Sequence, residues 1–189
     1  MAEFLKALPT VLFHEGLLED NPADPGKITN FGISLQWLKQ TGALSPEDFK
    51  TCDINHDGTI NAQDIKSLTK EDVQNLYKMY WWDKSDYDKI ADQDIATKIF
   101  DLAVNMGTHA AVLCAQRAVR AAIGLQLVLD GRLAFGTVTA LNMCDPKILM
   151  AAIKSESAGY YRGIKSSAAA EFINGWLKRA YDEPVKEPS

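Results

Sequence analysis

A carboxylic acid at the end of an apolar helix, followed by a bent loop, is an arrangement for giving up a proton. Glu15 has that setting. It ends a run of Phe4, Leu5, Leu8, Val11 and Leu12 whose spacing is that of one helical face. Turn residues follow: Gly16, Asn21-Pro22, Asp24-Pro25-Gly26, Thr29-Asn30 and Gly32. Burial against apolar neighbours favours the protonated acid, which could then be delivered to a leaving oxygen near neutral pH. The competing reading is a solvated glutamate at a helix end.

A second group of oxygen donors lies at residues 53–64, DINHDGTINAQD. Calcium takes six to eight oxygens, and alternate positions of a tight twelve-residue loop point them inward. Asp53, Asn55 and Asp57 hold the first, third and fifth places, Gly58 the sharp turn, and Asp64 the last. Thr59 offers its backbone carbonyl, Asn61 acts directly or through water, and Ile60 packs the loop onto its flanking helices. The spacing predicts a calcium site, with an Asx-rich turn holding no ion as the alternative. Position twelve carries Asp where the usual pattern has a bidentate Glu, so weaker or more magnesium-tolerant binding follows. The ion either ties two helices together or acts as a switch, and the structural role is favoured. The loop is similar to one dockerin repeat, but dockerins carry two.

These groups must be positioned by helices. The pattern predicts a first helix over residues 2–14, with Pro9 an awkward interior residue. An irregular loop follows, with a short hairpin near residues 28–33. Ser34 caps a helix that Gly42 closes, and Ser45-Pro46-Glu47-Asp48 is a strong helix start. Helices over 62–68 and from Thr69 follow, the latter carrying Leu76, Tyr77, Tyr80 and Trp81. Further helices are expected over 91–106, 108–123, 145–163 and 168–182, with a short turn at 138–143. The expected fold is all-α or nearly so, with a small β element beside the acid. Residues 1–182 read as one globule and 183–189 as a polar tail, although a boundary near residue 90 is conceivable.

The chain has 189 residues, enough for one domain with a good core or two very small ones. A net charge of -5, with no basic stripe interleaved with aromatics, argues against nucleic-acid binding. Cys52, Cys114 and Cys144 are odd in number and widely spaced, which reads as buried free thiols. The start of the chain does not read as a signal peptide, and Ala110 to Leu129 is broken by Gln116, Arg117 and Arg120, so no membrane insertion is expected. Synthesis in a bacterial cytoplasm and a monomeric state are the expectations.

Taken in order, HEGL, ADPGKITNFGIS, Tyr80-Trp81-Trp82, FDLAVNMG, LQLVLDG and NGWLKR resemble the glycoside hydrolase family 108 muramidases, a family of phage endolysins and bacterial lysozymes. The resemblance implies a lysozyme-like globule: a catalytic half over 1–90 with the 45–68 segment inserted, and a helical peptidoglycan-associated half over 91–182. It implies a peptidoglycan hydrolase that cuts between N-acetylmuramic acid and N-acetylglucosamine, with Glu15 as proton donor, acting on the wall after release. Asp24 and Thr29 are then similar to the partners in the Glu-Asp-Thr arrangement of other phage lysozymes, although the last gap there is one longer. Asp24 can equally serve its own Asp-Pro-Gly turn. Asn105 and the aromatics Tyr80, Trp81 and Trp82 are candidates for a sugar groove, core packing being the alternative for the rings.

Leu17 and Lys27 stand where the family pattern has glycine, and DGRLAFGTVTAL lacks the usual proline, which favours packing over a separate wall-binding role for the second half. A non-catalytic, calcium-dependent wall or protein binding module is the other reading. A zinc amidase or peptidase fits poorly, because His14, His56 and His109 form no ligand grouping.

Overall fold

Caps written into the sequence decide where several helices begin. The computed structural model describes residues 1–16, 18, 28–165 and 169–186. Ser34 Oγ accepts the Trp37 N–H at 3.1 Å and Ser45 Oγ accepts the Asp48 N–H at 3.0 Å, starting α2 (Leu35–Gly42) and α3 (Pro46–Cys52). Thr69 and Asp72 cap each other reciprocally ahead of α5 (Lys70–Tyr80). The regular structure among the described residues is helical apart from one two-stranded antiparallel ribbon, β1 (Thr29–Asn30) and β2 (Ile33–Ser34). That is the expected fold class.

The chain divides into two compact units, residues 1–11 with 78–189, and residues 12–77. Residue 90 lies inside the first of these.

The larger unit begins with most of α1 (Phe4–Glu15), which runs through Pro9. Proline removes the bond to the carbonyl four residues back, that of Leu5, whose side chain is exposed, so water can take its place. Around α6 (Gln93–Met106), buried without a break from Ile95 to Ala103, are α7 (Thr108–Ile123), α9 (Pro146–Arg162) and α10 (Ala169–Tyr181). Helix α7 packs on α6 and α9, and α9 on α10.

Two buried polar groups tie these helices. Arg179 forks onto Asp101, donating from Nε at 3.2 Å and from a terminal nitrogen at 2.8 Å. Lys98 donates to the carbonyls of Arg179 and Asp182 at 2.5 and 2.9 Å. The irregular stretch after α7 hangs on buried Gln116, which bonds Asp130, the Gly131 N–H and Thr137. The expected turn at 138–143 proves to be part of a full helix, α8 (Phe135–Asn142). The chain from 183 to 186 returns onto this unit, with the Val185 N–H bonded to Thr10 Oγ1 at 2.9 Å. No helix among the described residues is long and apolar enough to cross a membrane. The three cysteines are buried and unpaired with one another.

The smaller unit holds the last turn of α1, the ribbon, α2, α3, α4 (Ala62–Ser67) and α5 as far as Tyr77. Ile60 packs so closely on Gly42 that a Cβ there would lie 2.3 Å from its Cδ1. The 53–64 loop is thereby pressed onto α2, as the sequence suggests for Ile60.

Candidate active site

The ribbon pairs Thr29 with Ser34 and Asn30 with Ile33, which leaves Phe31 and Gly32 as a two-residue connection. Both have positive φ, +50° and +79°, as hairpin turns of type I′ require. Phe31 is a bulky residue in the left-handed region, a conformation that costs free energy and must be held by its surroundings. Two buried side chains hold it. Tyr77 Oη donates to the Phe31 carbonyl at 2.9 Å, and Asn30 Nδ2 donates to the Ile65 carbonyl on α4 at 3.1 Å. Tyr77 is fully buried and Asn30 nearly so.

Glu15, half-buried at the last residue of α1, rests on this turn. A Cβ at position 32 would lie 2.5 Å from Glu15 Oε2, 2.7 Å from its Cγ and 2.6 Å from Tyr77 Oη. Only glycine fits there. The carboxyl group and the phenol therefore face each other across the space that any other side chain would fill.

The other predicted residues fall in several settings. Thr29 is half-buried in the ribbon. Asp24 lies outside the described residues, as do Leu17 and Lys27. His14 is half-buried with its ring edge-on to Phe13 at 5.3 Å.

In the larger unit, Asn105 is exposed near the end of α6, and its Oδ1 accepts the Tyr161 hydroxyl at 2.7 Å. The Tyr161 ring stacks on Trp176 at 5.6 Å, and burial pushes its phenol pKa up. Trp82 is 4% exposed and packs among Phe4, Tyr87 and Phe100, so its ring faces belong to the core. Tyr80 and Trp81 are half-buried. A cavity of about 570 Å³ opens in this unit by the starts of α6 and α9, but its Asp92 and Asp145 cap those helices and its Lys154 is paired with Glu183.

In the 53–64 loop the carboxylates turn onto the loop's own N–H groups. Asp53 accepts from Asp57 and Gly58 at 3.1 and 2.9 Å, and Asp64 from Asn55 and Asn61 at 3.2 and 2.7 Å. Asp57 Oδ1 takes both the N–H and the hydroxyl of Thr59, and the hydroxyl bond above all holds the Asp57 pKa below the usual carboxylate value. Gly58 stands at φ +84°. Asn61 caps α4, with Asp64 reciprocating. No group of three or more His, Cys, Asp or Glu side chains among the described residues is arranged to hold a metal ion.

Sequence reasoning missed Tyr77 and Tyr161. Each reads as one more helix-face aromatic, and each meets its partner far along the chain, Phe31 and Asn105 respectively.

The model of the glycosyl hydrolase 108 family matches residues 8–107, more than half the chain and including Glu15, the ribbon and the 53–64 loop. The chain belongs to that family and is a glycoside hydrolase. It is similar to the structure of Brucella abortus SagA, with a TM-score of 0.67 and 24% identity over 94% of this chain and 88% of that one, which shows a shared fold. No curated protein matches the chain.

Proposed function

We propose that the protein is an N-acetylmuramidase of the endolysin type, cleaving the bond between N-acetylmuramic acid and N-acetylglucosamine in peptidoglycan with Glu15 as general acid. The observation that carries this reading is the seat of Glu15 within the family-matched segment. It ends a helix, half-buried, with its carboxyl group against a turn whose position 32 leaves room only for glycine. Glycoside hydrolysis asks for such an acid and for a second group that stabilises the oxocarbenium-like centre or activates water. Asp24 is assigned the second role and Thr29 the positioning of water. Asn105 and Tyr80 are assigned to sugar binding. The enzyme acts as a monomer on the cell wall.

The 53–64 loop takes calcium in this reading, through Asp53, Asn55, Asp57, the Thr59 carbonyl, Asn61 and Asp64. Every donor is an oxygen, and a carboxylate oxygen that accepts one N–H keeps a further lone pair. The ion's role is to tie α3 to α4.

The decisive experiment is Glu15→Gln assayed on purified peptidoglycan. Reducing ends should appear with the wild type and fall by roughly 10²–10⁴-fold in the variant at unchanged melting temperature. Mass spectrometry of the wild-type products should find fragments ending in reducing N-acetylmuramic acid. A wild type that releases no reducing ends, or a variant as fast as it, removes the assignment.

A further inference from the structure

We propose that Tyr77 and Asn30 are positioning residues for Glu15, acting through the Phe31–Gly32 turn. The inference rests on the reading of Glu15 as the acid and goes beyond it by naming the side chains that hold the surface on which the acid rests.

The turn is the surface against which the acid sits, with no room for even a methyl group between them. A two-residue connection with a bulky residue at φ +50° does not hold that shape by its own preference. Its ribbon is also minimal, with two residues in each strand. The shape is set from outside at two points. The Tyr77 hydroxyl, on α5, holds the Phe31 carbonyl, and the Asn30 amide holds the Ile65 carbonyl on α4. Both side chains are buried, so water cannot take over either bond without entering the core. Releasing one point lets the turn rotate, and the carboxyl group that rests on it shifts. Such shifts matter, because a misplacement of about 1 Å costs a catalytic group roughly a hundred-fold.

The test is a kinetic cycle on soluble uncrosslinked peptidoglycan strands. Tyr77→Phe keeps the ring and loses the hydroxyl. It should lower kcat by about ten- to a hundred-fold with KM within two-fold and the fold intact. Added to Glu15→Gln, it should lower the residual rate no further, because a residue that works only through Glu15 has nothing left to position. A merely structural defect would lower the double variant again. If Tyr77→Phe does not fold, Asn30→Ala carries the same cycle, with the same expected split between kcat and KM.

Gly32→Ala, which forces the carboxyl group off the turn, should reproduce the kcat loss. With Glu15→Gln slowed as expected, wild-type kcat in Tyr77→Phe or additive loss in the double variant overturns the positioning role alone. A Glu15→Gln enzyme as fast as wild type overturns the acid assignment and the positioning role together.

Discussion

In the larger unit three of the buried polar groups are charged and join helix to helix: Arg179 of α10 forks onto Asp101 of α6, and Lys98 of α6 donates to carbonyls at the end of α10. In the smaller unit the turn against which Glu15 rests is held by neutral groups, the Tyr77 hydroxyl and the Asn30 amide, and both bonds run from a side chain to a backbone carbonyl. The difference separates two tasks. A buried ion pair is strongly directional and very costly to break, which suits a scaffold. A neutral side chain bonded to backbone fixes where a turn sits without placing a fixed charge beside the acid. The larger unit should therefore fail by unfolding and the smaller one by losing turnover.

The sharpest way to break that contrast is Asp101→Ala. It leaves the Arg179 guanidinium buried without its carboxylate and should cost about 3–5 kcal/mol in denaturant unfolding, with turnover per folded molecule retained at low temperature. Lost turnover in a folded variant would erase the distinction.

Next in size is a pH effect. Burial lowers the Lys98 pKa from 10.5 to about 8, partly offset by the Asp101 charge. Below pH 8 both folded and unfolded chains hold the proton, and the burial cost is fully present. Between about pH 8 and 10.5 the folded chain releases it first, so the unfolded chain binds more protons and the Lys98 contribution to stability rises with pH. The rise is on the order of 3 kcal/mol. Stability curves of the wild type and Lys98→Met should diverge in that window and run parallel below it.

The smallest effect belongs to the 53–64 loop. If it takes calcium as a structural tie, saturation at a hundred times the dissociation constant adds about 2.7 kcal/mol. A chelator should lower the melting temperature and leave turnover per folded molecule unchanged. Calorimetry with calcium and with magnesium shows whether Asp64 in the last position blunts the preference between them. Heat-silent titrations with both ions remove the ion from the account.

The sequence is most legible where a single local interaction sets the outcome. Ser34, Ser45 and the Thr69/Asp72 pair announce α2, α3 and α5 because a cap and its target lie within three residues. Helix α8 is hidden for the opposite reason. Ala134 offers no capping side chain, and Gly136, Thr137, Val138 and Thr139 are poor helix formers, so α8 exists through burial of Val138, Ala140 and Leu141. Trp82 looks the same in sequence whether it lines a groove or fills a core, and only Phe4, Tyr87 and Phe100 around it decide. Glu15 is legible through its apolar run and the turn residues after it. Its seat is not, because Gly32 follows by seventeen residues and Tyr77 by sixty-two.

The bond from Asn30 to the Ile65 carbonyl also constrains how this protein can change. Ile65 directly follows Asp64, so the residue that closes the loop and the one that the ribbon grips are neighbours on one short helix. A loop exchanged for residues 53–64 must therefore leave the Ile65 carbonyl where Asn30 reaches it, or the graft will fold and the acid will sit wrongly.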